Sequence, residues 1–536
     1  MSAAGFRAAR DLLLAARDDH DLACRTFRWP QPAYFNWALD WFDTNPAGIA
    51  LELIDPGGST LTVSYPELAA RSGAVAAWLR DLGVRRGDRV LIVLGTQREL
   101  WECQLACLKL GAVVIPTYPS LTPAEARDRL GRGRIRHLIC RAGRASVFPD
   151  PVPGVRVAVG ADVPGWSRYA DAFAPARPFE PDGPTPAADI AFGYFTSGTT
   201  AAPKLVAHTH ASYPIGHLTS MYWNGLRPGD RHLNVAAPGW AKHSWSSLFV
   251  PFTAGATLVA VTGEPGPGTL ARLLAGRRID SFCAPPGTWR ALAGHLGTAR
   301  PTLREATSAG EPLDAGLARR VRDAWGVTVR DGYGQTETTA LIGTTPGLRP
   351  RPGWLGKPLP GVTVHVDETT GEIQVGLDDV GMLAGYLDDE AATAAAFAGG
   401  RYHTGDLGVA GDDGWIRIAG RRDDVFKCDG HRVSPYELEA VLRTHPAVAD
   451  AAVVAHTGPG GGLVPHAVVV AHPGTAADDL SGVLLAHLAE RVAPPLRPRA
   501  VHVVDALPRT PSGKIRRREL SCSGHTGCPA DLEVTR

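Results

Sequence analysis

The stretch Tyr194-Phe195-Thr196-Ser197-Gly198-Thr199-Thr200-Ala201-Ala202-Pro203-Lys204 is a hydroxyl-rich loop that follows a short apolar run and closes on a lysine. Thr196, Ser197, Thr199 and Thr200 offer hydroxyl and backbone N–H donors, Gly198 lets the backbone approach an anion, and Lys204 adds positive charge. These are the parts of a phosphate cradle. The Walker pattern is absent, because no Gly-Lys-Ser/Thr run closes the loop ahead of a helix. Taken alone, such a loop is more often a Ser/Thr-rich surface turn, so its meaning depends on what accompanies it.

Two further segments follow in order, Asp331-Gly332-Tyr333-Gly334-Gln335-Thr336-Glu337 and Tyr402-His403-Thr404-Gly405-Asp406-Leu407. Together the three resemble the phosphate loop, the adenine and magnesium segment, and the ribose-binding segment of the adenylate-forming superfamily. That superfamily comprises acyl-CoA synthetases, nonribosomal adenylation domains and luciferases. Gly420 to Val433 looks like its hinge and the start of its small C-terminal domain, and Pro508 to Ile515 looks like its catalytic lysine loop. The resemblance runs from about Tyr34 to Leu520 and is strongest to the medium-chain acyl-CoA synthetases.

The resemblance implies activation of a carboxylic acid as acyl-AMP and then thioester formation, with ATP, Mg2+ and coenzyme A as cofactors. A carboxylate is a poor acyl donor because its leaving group would be oxide, and its attack on the α-phosphate brings two anions together. The chain must therefore supply positive charge to the bridging and leaving oxygens. By resemblance, Lys514 contacts the acid and α-phosphate, and Thr196, Ser197, Gly198, Thr199, Thr200 and Lys204 hold the β- and γ-phosphates. Glu337, helped by Thr336 and Thr196, places magnesium. Gly310, Glu311, Pro312, Asp331, Gly332, Tyr333, Gly334 and Gln335 surround the adenine. Asp406 accepts the ribose hydroxyls with Arg421 beside it, and Lys427 lies on the cofactor side. Asp423 is the hinge, and Gly430, His431 and Arg432 form the thiol side. Two positions depart from the pattern. Ala201 replaces the usual glycine, at a strain of order 1 kcal/mol if that position needs positive φ, and Trp354 is bulkier than usual.

Pro238 to Trp245 interleaves bulky aromatic and small residues, as a wall for an acyl or aryl group requires. A buried tryptophan cluster accounts for the same composition. Gly239-Trp240-Ala241-Lys242, followed by Trp245-Ser246-Ser247, again resembles the medium-chain subgroup, which implies a substrate pocket of Trp240, Ala241, Ser244, Trp245 and Ala309. Amino-acid-activating relatives place an aspartate in this region and this chain has none, so the expected acid is medium-chain or aromatic without an α-ammonium. Two alternatives stand beside coenzyme A transfer. One keeps adenylation and changes the acceptor, to a carrier-protein thiol or, in secondary metabolism, to nitrous acid in an ATP-dependent diazotization of an arylamine. The other is a non-catalytic nucleotide-binding relative, against which Lys514, Glu337 and Asp406 argue.

Positioning these segments requires an α/β fold. Tyr65 to Leu82 reads as an amphipathic helix, Arg89 to Leu94 as a buried strand, Trp101 to Leu110 as a helix and Ala112 to Pro116 as a strand. That alternation implies a parallel sheet covered on both faces. Residues 34 to 43 read as an N-terminal helix, Pro151 to Pro186 as a long surface connection, and His208 to Tyr222 as a helix. Ser281 to Pro286 and Thr307 to Pro312 look like strand ends where ligands gather. Gly361 to Gly376 alternates as a small β-barrel-like subdomain. A helix near Pro435, strands near Ala452 and Val468 and a helix near Leu484 to Val492 make a small mobile α+β domain. The expected division is an N-terminal adenylation domain over 1–419, a C-terminal domain over 420–520 and a flexible tail over 521–536.

At 536 residues the chain exceeds what one core serves. A net charge of +1 argues against a nucleic-acid surface, and no stretch reaches the ~20 apolar residues of a membrane span. The expected setting is cytoplasmic, with a carrier protein and a second copy of the chain as candidate partners. Eight cysteines without a secretory signal read as free thiols. Cys103 and Cys107 share a helix face, and Cys522, His525 and Cys528 are too few, in a Gly/Ser-rich terminus, to make a zinc site. Lysine occurs only at positions 109, 204, 242, 357, 427 and 514 amid abundant arginine. A retained lysine in such a chain points to chemistry a guanidinium cannot do.

Overall fold

The computed structural model describes residues 2–44, 48–149, 152, 154–174, 178–196, 203–297, 300–428, 430–458, 462–475, 479–509 and 514–520. Ser197, Gly198, Thr199, Thr200, Ala201 and the cysteine-bearing tail lie outside them. The chain divides into two compact units: the first runs to His365 and takes in Gln374–His403 and Asp412–Ile416, and the second is Val366–Ile373, Thr404–Gly411 and the chain from Arg417 on.

The first unit holds two large sheets. One is ordered Gly385–Tyr386, Leu205–Thr209, Ile190–Phe195, Val113–Pro116, Arg89–Val93, His137–Arg141, Arg156–Val159, Ser167–Arg168, and is parallel from Ile190–Phe195 outward. The other is ordered Lys357–Pro358, Ala340–Gly343, Val329–Gly334, Glu305–Ala309, Ser281–Ala284, Arg231–Asn234, Thr257–Val261, Ile49–Ile54, Thr60–Ser64, and is parallel through its middle. Helices cover the strands because the strands are apolar on both faces: Val90 to Leu94 and Val113 to Ile115 are all buried. The helix Tyr65–Leu82 starts where Ser64 accepts the Glu67 N–H and stops at Gly83, whose φ of 107° a side chain would resist.

The α/β class, the parallel sheets and the small extra sheet are as the sequence implies. That extra sheet orders Val364–Val366, Glu372–Gly376, Arg401–Ala410 and Ile416–Arg421. Three local readings are corrected. The segment 151–186 contains the strand Arg156–Val159 and the edge strand Ser167–Arg168, too short to read among prolines and glycines. The helix expected from His208 begins at Ser212, because His208 still pairs with Phe192 in the sheet. Residues 34 to 43 form only the short helix Trp37–Asp40 and a tight turn, Phe42–Thr44, while the first long helix is Ser2–Ala15. Phe6, Ala9 and Leu13 bury one face of that helix, and Ala16 just past its end continues it, at a spacing present in the sequence.

In the second unit, the hairpin strands Phe426–Cys428 and His431–Val433 precede the helix Pro435–Leu442. A sheet ordered Val448–Thr457, Leu463–Ala471, Ala500–Val503 and the helix Leu480–Arg491 complete it around a core of Leu438, Leu442, Val453, Val469, Leu484 and Leu488. Cys103 and Cys107 are buried, and burial raises both thiol pKa values.

Candidate active site

The phosphate loop leaves the strand Ile190–Phe195 and returns on Leu205–Thr209, its antiparallel partner. Its base is closed by the Thr196 N–H donating to the Lys204 carbonyl at 2.9 Å. The Lys204 ammonium lies 4.6 Å from the centre of the Tyr386 ring. The Tyr386 hydroxyl in turn donates to Glu337 Oε1 at 3.2 Å. Buried His208 lies with Nε2 2.8 Å from the Thr336 carbonyl, and burial holds its pKa down at about 4, so the ring is neutral and donates. Lys204, Thr336 and Glu337, from two distant motifs, are thus tied together by Tyr386 and His208, neither of which was singled out in the sequence.

The strand Val329–Gly334 carries the second motif. Asp331 accepts the Leu313 and Gly332 N–H groups at 3.0 Å each, so it fixes the turn that holds Gly310, Glu311 and Pro312. Burial pushes its carboxyl up to about 7. Gly310 takes φ of 112° with no neighbour near its missing Cβ, and Glu311 pairs with Arg290 at 3.3 Å. Behind the strand, the Trp223 indole N–H donates to the Asp331 carbonyl at 3.1 Å. A Cβ on Gly332 would stand 2.4 Å from that ring, and one on Gly343 2.5 Å. Gln335 accepts from the Tyr402 hydroxyl at 2.9 Å, and Tyr333 and Gly334 sit on the strand between these groups.

The expected acid wall follows the strand Arg231–Asn234. Gly239 has φ of 97° and its absent Cβ would lie 2.3 Å from the Tyr118 nitrogen, so only glycine fits there. That approach lets Trp240 stack on Tyr118, with ring centres 5.9 Å apart and planes 11° from parallel. Ala241, Lys242, His243 and Ser244 form one helical turn. Lys242 donates to the Ala309 carbonyl at 2.8 Å, joining this wall to the end of the strand Glu305–Ala309. Trp240, Ala241, Trp245 and Ala309 are all partly exposed, whereas Ser244 is buried, so the segment lines a surface rather than only a core.

In the second unit the expected ribose pair meets: Arg421 Nη1 lies 3.1 Å from Asp406 Oδ1. Beside it the Gly405 N–H donates to Glu372 at 2.9 Å, and Arg422 pairs with Glu372 at 3.1 Å. Asp423 is exposed in the turn after Arg421, and Gly430, His431 and Arg432 are exposed at the hairpin, where Lys427 pairs in register with Arg432. Lys514 is exposed beside a narrow bridge, Arg509 to Ile515. Arg509 is paired with Asp450, and Arg517 with Glu439. Both ends of the lysine loop are therefore held by ion pairs.

Among the described residues no three His, Cys, Asp or Glu side chains are grouped to hold a metal. Magnesium is usually held by one or two carboxylates and the substrate's phosphates. Glu337, within one tyrosine of Lys204, is a carboxylate of that kind. No helix among the described residues is long and apolar enough to cross a membrane.

The family model described as AMP-binding enzyme matches residues 41–384, and that of the AMP-binding enzyme C-terminal domain matches 437–514. The chain is 36% identical to 4-hydroxybutyrate–CoA ligase 1 of Metallosphaera sedula, over 91% of this chain and 90% of that protein. It is 31% identical to the mitochondrial acyl-coenzyme A synthetase ACSM3 of Homo sapiens, over 92% and 90%. Among solved structures it resembles the anthranilate CoA ligase AuaEII in complex with anthranoyl-AMP, with a TM-score of 0.82 and 26% identity over 91% of this chain and 97% of that one.

Proposed function

Because the chain belongs to the AMP-binding enzyme family and is an AMP-forming acid–coenzyme A ligase, using ATP to make an acyl-AMP and then the thioester, we propose that Lys514 serves the first half-reaction and the exposed hairpin residues the second. The observation that carries the site is the chain Lys204, Tyr386, Glu337. It sets a cation and a carboxylate on either side of one tyrosine beside a hydroxylated loop, which is what a nucleotide's phosphates and their counter-ion require. Thr196 to Thr200 and Lys204 hold the β- and γ-phosphates, and Glu337 with Thr196 and Thr336 holds magnesium, which neutralises phosphate charge when bound. Gly310, Glu311, Pro312 and Tyr333 frame the adenine, and Asp406 with Arg421 takes the ribose. Lys514 reaches the acid and α-phosphate. A turn at Asp423 within a mobile domain over 420–520 exchanges Lys514 for Gly430, His431 and Arg432 when coenzyme A enters, and Lys427 belongs with the cofactor-binding residues.

The acid is medium-chain or aromatic and has no α-ammonium. Trp240, Trp245 and Tyr118 supply flat apolar surface, and the wall has no carboxylate of its own to meet an ammonium. Of the acids of two similar proteins, anthranilate is aromatic and falls in that range, whereas 4-hydroxybutyrate is shorter than medium-chain. The reaction is cytoplasmic.

Pyrophosphate release over a panel of aliphatic and aromatic acids, followed by product mass with coenzyme A, a phosphopantetheinylated carrier or nitrite, tests the reading. Acyl-CoA is expected. Lys514→Ala should abolish acyl-AMP formation and spare thioester formation from supplied acyl-AMP. Equal loss of both half-reactions would remove Lys514 from the role.

A further inference from the structure

The wall proposed to receive the acid is not apolar throughout. Lys242 projects from the turn Ala241–Ser244, and its ammonium donates to the Ala309 carbonyl at 2.8 Å, with the Cys283 thiol among its electrostatic neighbours. An ammonium carries three donors, so donor capacity remains. Among the described residues no carboxylate is within ion-pair distance of it; Asp331 and Glu311 act on it only through space. Desolvation lowers its pKa, and a half-buried cation without an anionic partner is costly. A methionine would fill the same space without that cost. The chain nevertheless keeps a lysine here, one of six amid abundant arginine.

His217 gives a second, independent observation. It lies on the helix Ser212–Asn224, fully buried, with its ring 4.3 Å from Tyr213 and stacked 6.2 Å from Trp245. Ser220 Oγ accepts the Ala340 N–H at 3.4 Å and stands 2.9 Å from His217 Nδ1. A hydroxyl that already accepts is best satisfied by donating its own proton, which makes Nδ1 the acceptor. Burial holds the ring neutral, so the ring proton belongs on Nε2. That Nε2 has no hydrogen-bond partner. Trp245 is the common neighbour of the two groups, since Lys242 Nζ lies 6.0 Å from its ring. Two donors with unspent protons therefore flank one aromatic side chain of the acid wall.

We infer that Lys242 and His217 recognise the distal end of the acid, and that the preferred acid carries an acceptor oxygen there, as a hydroxyl, a carbonyl or a second carboxylate. Resting on the proposed placement of the acid against Trp240 and Trp245, this narrows the substrate from any medium-chain or aromatic acid to the oxygenated members of that range. His217 Nε2 is already closed off without a partner; a hydrocarbon end would leave it so and strip water from Lys242, whereas an acceptor oxygen satisfies both.

The test compares matched acids with the full-length enzyme, ATP, magnesium and coenzyme A: butanoate with 4-hydroxybutanoate, hexanoate with adipate, and benzoate with 4-hydroxybenzoate. The oxygenated member of at least one pair should have the higher kcat/KM, by roughly 10- to 100-fold. Lys242→Met and His217→Phe should each shrink that preference while leaving the hydrocarbon member and the KM for ATP within about threefold. Lys242→Gln, which keeps a neutral donor, should retain part of the preference and serves if the methionine variant does not fold. Wild-type enzyme that favours the hydrocarbon member of every pair overturns the inference. So does Lys242→Met that weakens both members equally and raises the KM for ATP, because the lysine would then only support the Ala309 turn. Failure of the underlying placement reads differently: Trp240→Ala would leave the KM of every acid unchanged.

Discussion

Arg517 donates to both carboxylate oxygens of Glu439, at 2.6 and 2.8 Å, and its other nitrogen lies 3.4 Å from Asp424. Glu439 is nearly inaccessible and also accepts the Val453 N–H at 2.9 Å, so the pair anchors the chain just past Lys514 to the body of the second unit. Arg517→Met leaves that buried carboxylate with Arg443 as its remaining cation. The expected cost is about 1–3 kcal/mol of stability, read by urea denaturation. Acyl-AMP formation should fall roughly tenfold or more while thioester formation from supplied acyl-AMP changes little, because only the lysine loop loses its anchor. Equal losses in both half-reactions would make the ion pair structural only.

Asp423 is exposed, and the turn around it is held by the Asp424 and Val425 N–H groups donating to the Arg421 carbonyl at 3.1 and 3.2 Å. Proline there removes neither bond but fixes φ and restricts Arg422. Asp423→Pro should keep acyl-AMP formation and slow thioester formation, by roughly tenfold if the turn must change shape between the two steps. Unaltered overall turnover, measured as coenzyme A consumption, would take the hinge away from this residue.

A methyl group on Gly239 meets backbone atoms of Thr117 and Tyr118 that have no room to retreat. Gly239→Ala should therefore push Trp240 off Tyr118, raise the KM for every acid and leave the KM for ATP nearly unchanged. Trp240→Ala removes the stacked surface without moving the backbone, and should shift preference toward bulkier acids. Competition between a small and a large acid, resolved by product mass, checks both; an unchanged product ratio counts against the wall.

Asp379 gives a pH dependence with a definite sign. It is buried, one oxygen accepts the Gly381 N–H at 2.8 Å, the other has no partner, and burial pushes its pKa up to about 7. Between the ordinary carboxylate range and pH 7 the folded protein keeps a proton that the unfolded chain has lost. Its contribution to stability therefore falls as pH rises through that window and is flat above it. Asp379→Asn should be nearly neutral at pH 4 and stabilising at pH 8, by up to the order of 3 kcal/mol. Paired denaturation curves at the two pH values check this, and an equal effect at both would refute it.

The segments legible in the sequence are those whose requirement is carried by backbone and by contiguous residues. The hydroxylated loop, the strand Val329–Gly334 and the lysine loop each present their parts in one run, and strand alternation from Arg89 to Pro116 announces its sheet. Tyr386 and His208 were not legible. His208 meets Thr336 across 128 positions, and nothing local distinguishes either residue from an ordinary buried ring. Lys242 and His217 fall between these cases. The scarcity of lysine marked position 242 as unusual, but its partner is a carbonyl on another strand, and the unsatisfied nitrogen of His217 exists only once the helix Ser212–Asn224 is packed. The helix Ser2–Ala15 is the opposite case, a periodic apolar face that is present in the sequence although charged residues are interspersed with it.

Trp223 bears on how the Asp331–Glu337 signature is to be read across distant sequences. Gly332 and Gly343 have no side chains because the indole occupies that volume, and the same ring holds the Asp331 carbonyl. A side chain at position 332 would thus disturb folding before it disturbed turnover. A descendant that had lost its chemistry would still keep that glycine for as long as it kept the tryptophan. Lys514 is exposed, and its loss would leave the core unchanged. In a lineage drifting toward a new role the lysine should decay first and the glycine last, so the order of loss dates the change of occupation.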